Sequence, residues 1–240
     1  MVGQAASGGG LWQACMDLHG QSRQHRVMQD LAEEATHAPG FAWLGRAEYD
    51  LIWPRIAKQA DLLLAEQVGE TVWACEHNPV YTTGRRAIDN RRQVELPAPL
   101  VVTDRGGETT FHGPGQVMLY PILSLRKRKL GVRDYVCLLE QSCIDVLTEY
   151  GIEAGRRDGL PGVWVNDAKI GAIGLRVSRG IVWHGMALNV CVDPKWFASI
   201  NACGAGLDVA NMNDFCMPPA LADLAHAWYY LLCTRLDAAD

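Results

Sequence analysis

The chain has 240 residues, with 22 Lys and Arg against 27 Asp and Glu, for a net charge of −5. That length suits one large domain or two small ones and buries a core without disulfide staples, and 49% hydrophobic with 20% charged residues excludes a disordered chain. A net-negative chain is a poor general coat for nucleic acid, and no apolar run approaches the ~20 residues of a membrane span.

Residues 1–40 read as a polar extension, flexible around Ser7–Gly10 and ending at Pro39–Gly40, or as one holding a short helix near 23–36. They lack the basic-then-apolar lead of a secretory signal, so the expected location is the cytoplasm. The patterned chain starts at Phe41. Tyr49, Ile52, Ile56, Ala60, Leu63 and Leu64 recur at helical spacing, with Pro54 in or near the first turn. Thr71–Cys75 and Leu100–Thr103 read as strands. Val117–Leu123 reads as a third, placed near an edge by Pro121. Tyr135, Leu139, Cys143, Val146 and Tyr150 predict a second helix, ended by Gly151. Gly162–Asn166 is a short strand, and Ala168–Val177 and Ile181–Val190 pair around Ser178–Gly180. A last helix carries Leu221, Leu224, Trp228, Leu231 and Leu232 after Pro218 and Pro219. Strands and helices mix without strict alternation, so the expected fold is α/β, a mixed sheet with packed helices.

Three segments carry the unusual chemistry. The first is 105–116, Arg-Gly-Gly-Glu-Thr-Thr-Phe-His-Gly-Pro-Gly-Gln, which cannot form a regular helix. Its glycines let backbone approach a ligand and present amides, although a surface turn explains the composition equally well. It has no Gly-Lys-Ser/Thr, and the Gly204–Gly206 stretch lacks the third glycine of a dinucleotide fingerprint.

The second segment is Asp167–Arg176, with Lys169 inside an apolar strand. Strand alternation points Lys169 the same way as Gly171 and Ile173. A buried lysine is a usable base, while the plain alternative is an edge-strand lysine that guards against aggregation. Gly171 and Gly174 leave space beside the strand for an apolar chain. His184–Met186 repeats the pattern, and a lone histidine there is more often a satisfied structural residue. The third segment is Asn201–Gly204, where Cys203 is flanked by small residues and sterically open, as a nucleophile must be. The eight cysteines contain no Cys-x-x-Cys pair, which fits a reducing compartment and mostly buried, inert thiols.

Together these segments resemble the lipoyl(octanoyl) transferase family over roughly four-fifths of the chain. The motif at 105–116 is highly specific to that family. Glu76–Arg85, Gly162–Val165, Lys169–Gly174, His184–Val190 and Ile200–Gly204 follow in the family's order. The loop after Cys203 and Gly204 is one residue shorter than the family's. The resemblance implies a fold like the catalytic domain of biotin and lipoate protein ligases, spanning 41–240.

It implies transfer of octanoyl from octanoyl-acyl carrier protein to a lysine of the lipoyl domains of 2-oxoacid dehydrogenases and glycine cleavage H protein. Carried over position by position, Cys203 is the acyl-thioester nucleophile and Lys169 the residue that lowers its pKa. Arg105, Gly106, Gly107, Glu108, Thr109, Thr110, Phe111 and His112 line the acyl site, with Ala172, Ile173, Gly174, Gly185, Met186 and Ala187. No cofactor or metal is implied, and the expected state is a monomer.

Amides of the Arg105–Gly107 turn, or the imidazole of His112, are the two candidates for holding an oxyanion. Two basic groups, Arg126–Lys129 and Arg85, Arg86, Arg91 and Arg92, either dock an acidic carrier protein or are solvated faces. No aromatic platform accompanies them, so nucleic acid is not the expected partner. The rival functions are an ATP-dependent ligase on the same fold and a non-catalytic binding module with a buried, unreactive Cys203.

Overall fold

The computed structural model describes residues 38–84, 96–200 and 208–239. Residues 1–37 of the N-terminal extension, where the alternative helix near 23–36 falls, the arginines at 85, 86, 91 and 92, and Asn201–Gly204 with Cys203 lie outside the described residues.

In chain order the elements are β1 (Gly40–Ala47), α1 (Tyr49–Leu64), β2 (Thr71–His77), β3 (Val80–Thr83), β4 (Leu100–Val102), β5 (Thr110–His112), β6 (Gln116–Ser124), α2 (Val132–Glu149), β7 (Gly155–Arg157), β8 (Leu160–Val165), β9 (Ala168–Ser178), β10 (Ile181–Asn189) and α3 (Leu221–Asp237). The main sheet runs β1-β2-β6-β10-β9-β8-β7, and a small sheet runs β4-β3-β5. β1 lies parallel to β2, and β3 parallel to β4, while the other neighbours are antiparallel. This is the mixed α/β arrangement that the sequence predicts.

One face of the main sheet receives α1. Ile52, Ile56 and Leu63 pack on Met118, Tyr120, Ile122 and Ala187. Burying each of those three helix side chains contributes roughly 1.5–3 kcal/mol. Strand alternation sends Val117, Leu119 and Leu123 to the other face, where α3 packs on β1, β2 and β6 and α2 on β8 and β9. Trp228 Nε1 of α3 donates to Ser142 Oγ of α2 at 2.9 Å, so this buried indole is satisfied.

Pro54 sits in the second turn of α1, near the first as expected. The Asp50 carbonyl that it deprives of a donor belongs to an exposed residue, which water can serve. β1, which the sequence left unassigned, is irregular: Gly45 has φ +68° and the register shifts between Trp43 and Arg46.

The largest correction is β6. It is not an edge strand but lies between β2 and β10, buried throughout. Pro121 is tolerated because pairing with β10 lapses between Val182 and Met186, where His184 takes φ +61°. The missing N–H therefore interrupts a stretch of ladder that is already open.

The β9–β10 hairpin turns at Arg179 and Gly180, both with positive φ, as a two-residue hairpin requires. Among the described residues no helix is long and apolar enough to cross a membrane.

Candidate active site

A cleft of about 570 Å³ opens over β9 and β10, and Tyr49 of α1 and Tyr120 of β6 contribute to its wall. The loop 105–108 lines one side with Arg105, Gly106, Gly107 and Glu108, and β5 adds Thr110 and His112. β9 adds Lys169, Ala172, Ile173 and Gly174, and β10 adds Gly185 and Ala187. Thr109, Phe111 and Met186 are not among the lining residues. Phe111 alternates with Thr110 and His112 along β5, so its ring turns away and stacks on Trp196 at 4.8 Å, beside Tyr81. Thr109 bonds Thr83 Oγ1 at 3.0 Å. The Met186 side chain fills the space at Gly171.

That last contact corrects the expected space for an acyl chain. A Cβ on Gly171 would meet Met186 Cε at 2.6 Å and Val163 Cβ at 3.1 Å, so that side is already filled. Beside Gly174 the room is taken by Arg105, whose Cδ would lie 3.1 Å from a Cβ there. Gly171 admits protein, while Gly174, with Arg105 packed beside it, still lines the cleft.

The Arg105 loop is held from below. A Cβ on Gly84, at the end of β3, would lie 2.2 Å from the Gly107 carbonyl oxygen, so the two glycine motifs pack backbone on backbone. Arg105 is buried, and its guanidinium donates to Thr82 Oγ1, to the Thr82 carbonyl at 2.6 Å and to the Gly106 carbonyl. Burial pulls its pKa below the usual arginine value. The Gly106 amide donates to the Leu175 carbonyl at 2.8 Å, so it is already engaged and is removed from the oxyanion candidates.

Lys169 lies inside the sheet, because β9 runs between β10 and β8; the edge-strand alternative fails. β9 carries one extra residue opposite the step from Val163 to Trp164, which breaks the alternation expected to align Lys169 with Gly171. Lys169 Nζ donates to the Pro161 carbonyl at 2.9 Å and sits 4.6 Å from the centre of the Trp164 ring. Its backbone N–H donates to Asp208 at 2.8 Å, and its carbonyl accepts from Ala210 at 3.0 Å. The chain that follows the Cys203 loop is thus paired to Lys169.

Two polar clusters border the cleft. His184 Nε2 donates to Asp104 Oδ1 at 2.7 Å, and Trp53 Nε1 donates to the same oxygen at 3.3 Å. Burial raises the Asp104 pKa, but the His184 hydrogen bond and charge outweigh it and hold the carboxyl below its usual range. The expectation of a satisfied histidine at 184 holds. On the other side His112 Nδ1 lies 2.8 Å from Gln116 Oε1, and Gln116 Nε2 donates to Asn189 Oδ1 at 2.8 Å. Burial, followed by the Arg105 charge, pushes the His112 pKa down to about 3.

Burial pushes Cys75 up to about 12 and Cys233 up to about 11, and raises Cys143 and Cys216. In the run Arg126–Lys129, Arg126, Lys127 and Lys129 are exposed and Arg128 is not. Arg128 is buried and donates to Glu70 Oε2 at 2.6 and 2.9 Å, and Lys127 pairs with Glu66 at 3.1 Å.

Sequence reasoning missed Glu140, Asp104, Asn189 and the two tyrosines. Asp104 and Asn189 adjoin or fall within quoted motifs. Glu140 carries only a weak signal, an acidic residue next to Leu139 on an otherwise apolar helix face.

A glycine-rich loop laid against the central strands of a mixed sheet, with a lysine lining a mostly apolar cleft, makes this the candidate active site. The model of the lipoyl protein ligase A/B catalytic domain matches residues 57–229, and the chain belongs to that family. It is a transferase enzyme. It is 47% identical over 198 residues to an octanoyltransferase of Dechloromonas aromatica (strain RCB), covering 81% of this chain and 95% of that protein. It is 44% identical over 179 residues to one of Xanthomonas euvesicatoria pv. vesicatoria (strain 85-10), covering 74% and 77%.

In fold it is similar to a bipartite lipoate protein ligase solved with its E2 lipoyl domain from Thermoplasma acidophilum, with TM-score 0.63 and 15% identity over 84% of this chain and 85% of that one. A biotin protein ligase from Aquifex aeolicus has TM-score 0.54 and 12% identity over 82% and 70%.

Proposed function

We propose that this chain, through a catalytic domain of residues 41–240, transfers octanoyl from octanoyl-acyl carrier protein to a lysine of lipoyl domains, by way of a thioester on Cys203. The acceptors are the lipoyl domains of 2-oxoacid dehydrogenases and glycine cleavage H protein, in the cytoplasm, and the enzyme acts as a monomer. The observation that carries this reading is Lys169. It lies in the cleft, and its backbone pairs with Asp208 and Ala210, five and seven residues beyond Cys203. Five residues of chain span at most about 18 Å, so chain length permits the Cys203 thiol to reach the lysine.

In this reading Lys169 takes the Cys203 proton, and the thiolate attacks the carrier thioester. The carbonyl passes to Cys203, and the carrier thiolate leaves with the proton from the Lys169 ammonium. The acceptor amine then attacks the new thioester, the Cys203 thiolate leaves, and neutral Lys169 takes the amine proton. Buried Arg105 places a positive charge beside the negative charge that develops on the carbonyl oxygen. Arg105–His112, Ala172–Gly174 and Gly185–Ala187 form the acyl site and its support.

The test is intact mass after mixing with octanoyl-acyl carrier protein, without ATP or magnesium. One octanoyl group should add, and Cys203→Ala should abolish the gain. Transfer to a lipoyl domain should then proceed. Octanoyl-adenylate formed from free octanoate and ATP would instead move the chain to the ligase reading, which the fold alone also accommodates.

A further inference from the structure

The hydrogen bonds behind His112 have one allowed direction. Asn189 Nδ2 donates to the Ala210 carbonyl at 3.2 Å. A backbone carbonyl only accepts, so this bond fixes which way the Asn189 amide points. Its Oδ1 therefore accepts, and the donor is Gln116 Nε2. That turns the Gln116 oxygen toward His112 Nδ1. An amide oxygen cannot donate, so Nδ1 carries the proton. In a neutral imidazole the other nitrogen is then a lone pair. Burial and the Arg105 cation keep the ring neutral well below physiological pH.

His112 lines the cleft, and Nδ1 is committed to Gln116. Nε2 is consequently the ring nitrogen without a partner among the described residues, and it can only accept. A lone pair repels an oxyanion, so the imidazole is removed from the oxyanion role that the sequence left open. The acyl chain, the thioester sulfur and the carbonyl oxygen carry no N–H or O–H. Of the reacting groups that the two substrates bring, the attacking amine is the one with a donor; the Cys203 thiol and the Lys169 ammonium are the enzyme's own.

On the reading given under Proposed function, we propose that His112 Nε2 accepts a hydrogen bond from the amine of the acceptor lysine and orients it for attack on the acyl-enzyme. The relay ends on Ala210, whose own N–H donates to the Lys169 carbonyl at 3.0 Å. The orienting acceptor and the base that face the amine thus hang on one hydrogen-bonded frame.

The experiment separates the two half-reactions. Octanoylation of Cys203 from octanoyl-acyl carrier protein and discharge of the octanoyl-enzyme to a lipoyl domain are timed by intact mass. In His112→Asn the amide nitrogen takes the place of Nδ1, keeps the bond to Gln116 and removes Nε2. Discharge should slow about ten-fold more than acylation, as expected for one hydrogen bond of about 1.4 kcal/mol. Nitrogen-15 NMR of the parent enzyme should find His112 protonated on Nδ1 and bare on Nε2, unchanged from pH 8 to pH 5.

Equal slowing of both steps, selective slowing of acylation, or a proton on Nε2 would each overturn the proposal. A parent enzyme that forms no octanoyl-Cys203 overturns the transferase reading itself, and the proposal with it. Normal acylation with no selective effect of His112→Asn overturns the proposal alone.

Discussion

Gly162 donates its backbone N–H to Glu140 Oε1 at 2.7 Å, across 22 residues of sequence. The second carboxylate oxygen accepts from Arg156 Nε at 3.1 Å. Gly162 has φ +122°, and a Cβ there would lie 2.5 Å from the Gly171 carbonyl oxygen and 3.2 Å from Lys169 Cε. This kinked backbone, pinned from α2, turns the Pro161 carbonyl onto Lys169 Nζ. Glu140 thereby acts on the lysine through the strand beside it.

Glu140→Ala should leave the buried Gly162 N–H without an acceptor and cost roughly 1–3 kcal/mol of stability. It should also slow acyl transfer at temperatures where the variant is still folded. Glu140→Gln retains an oxygen for Gly162 and should recover most of both. The check is a urea titration together with the pH profile of Cys203 alkylation. If Gln and Ala prove equally poor in rate yet folded, the pinning role is wrong.

Lys169→Ala should move the alkylation midpoint of Cys203 to higher pH and abolish octanoyl transfer. Lys169→Arg should not rescue transfer, because a guanidinium does not give up its proton near neutrality. An alkylation profile unchanged in Lys169→Ala would dissolve the proposed pair.

Acid should destabilise the fold through its buried histidines. His112 has its pKa depressed by burial and by Arg105 to about 3, and burial lowers that of His77 as well. Above pH 6.5 these imidazoles are neutral in both states. Below it the unfolded chain binds protons that the native state refuses, so stability falls as pH drops toward the folded pKa. His112 alone should cost roughly 2 kcal/mol between pH 7 and pH 5, at about 1.4 kcal/mol per unit. Urea unfolding at the two pH values measures it, and His112→Asn should flatten the dependence by up to one proton.

Arg128→Ala should destabilise the protein by roughly 3–5 kcal/mol, because it strands the Glu70 carboxylate that the buried guanidinium now holds. The loss should appear equally with a small octanoyl thioester and with acyl carrier protein, since it is a folding effect. Thermal melting checks the first part. A variant of normal stability that fails only with the carrier protein would give Arg128 a docking role instead.

Local periodicity in the sequence was enough to place α1, α2, α3 and the β9–β10 hairpin, because those patterns depend on neighbours a few residues apart. The glycine-rich motif at 105–116 and Lys169 were also legible, since their residue types are unusual for the elements they interrupt. β1 was not, because its glycines and its bulge blur alternation. Nor was the central position of β6: a proline marks an edge only if both neighbouring ladders are intact, and here β10 opens opposite it.

The same limit governs the site. Whether Gly171 leaves a hole or receives Met186, whether Arg128 faces solvent or Glu70, and which nitrogen of His112 holds the proton each depend on contacts between residues tens of positions apart. Residue types and spacings therefore decided the family of chemistry. Only the tertiary structure decided the direction of the hydrogen bonds, because a donor or an acceptor is defined by the partner that folding brings to it.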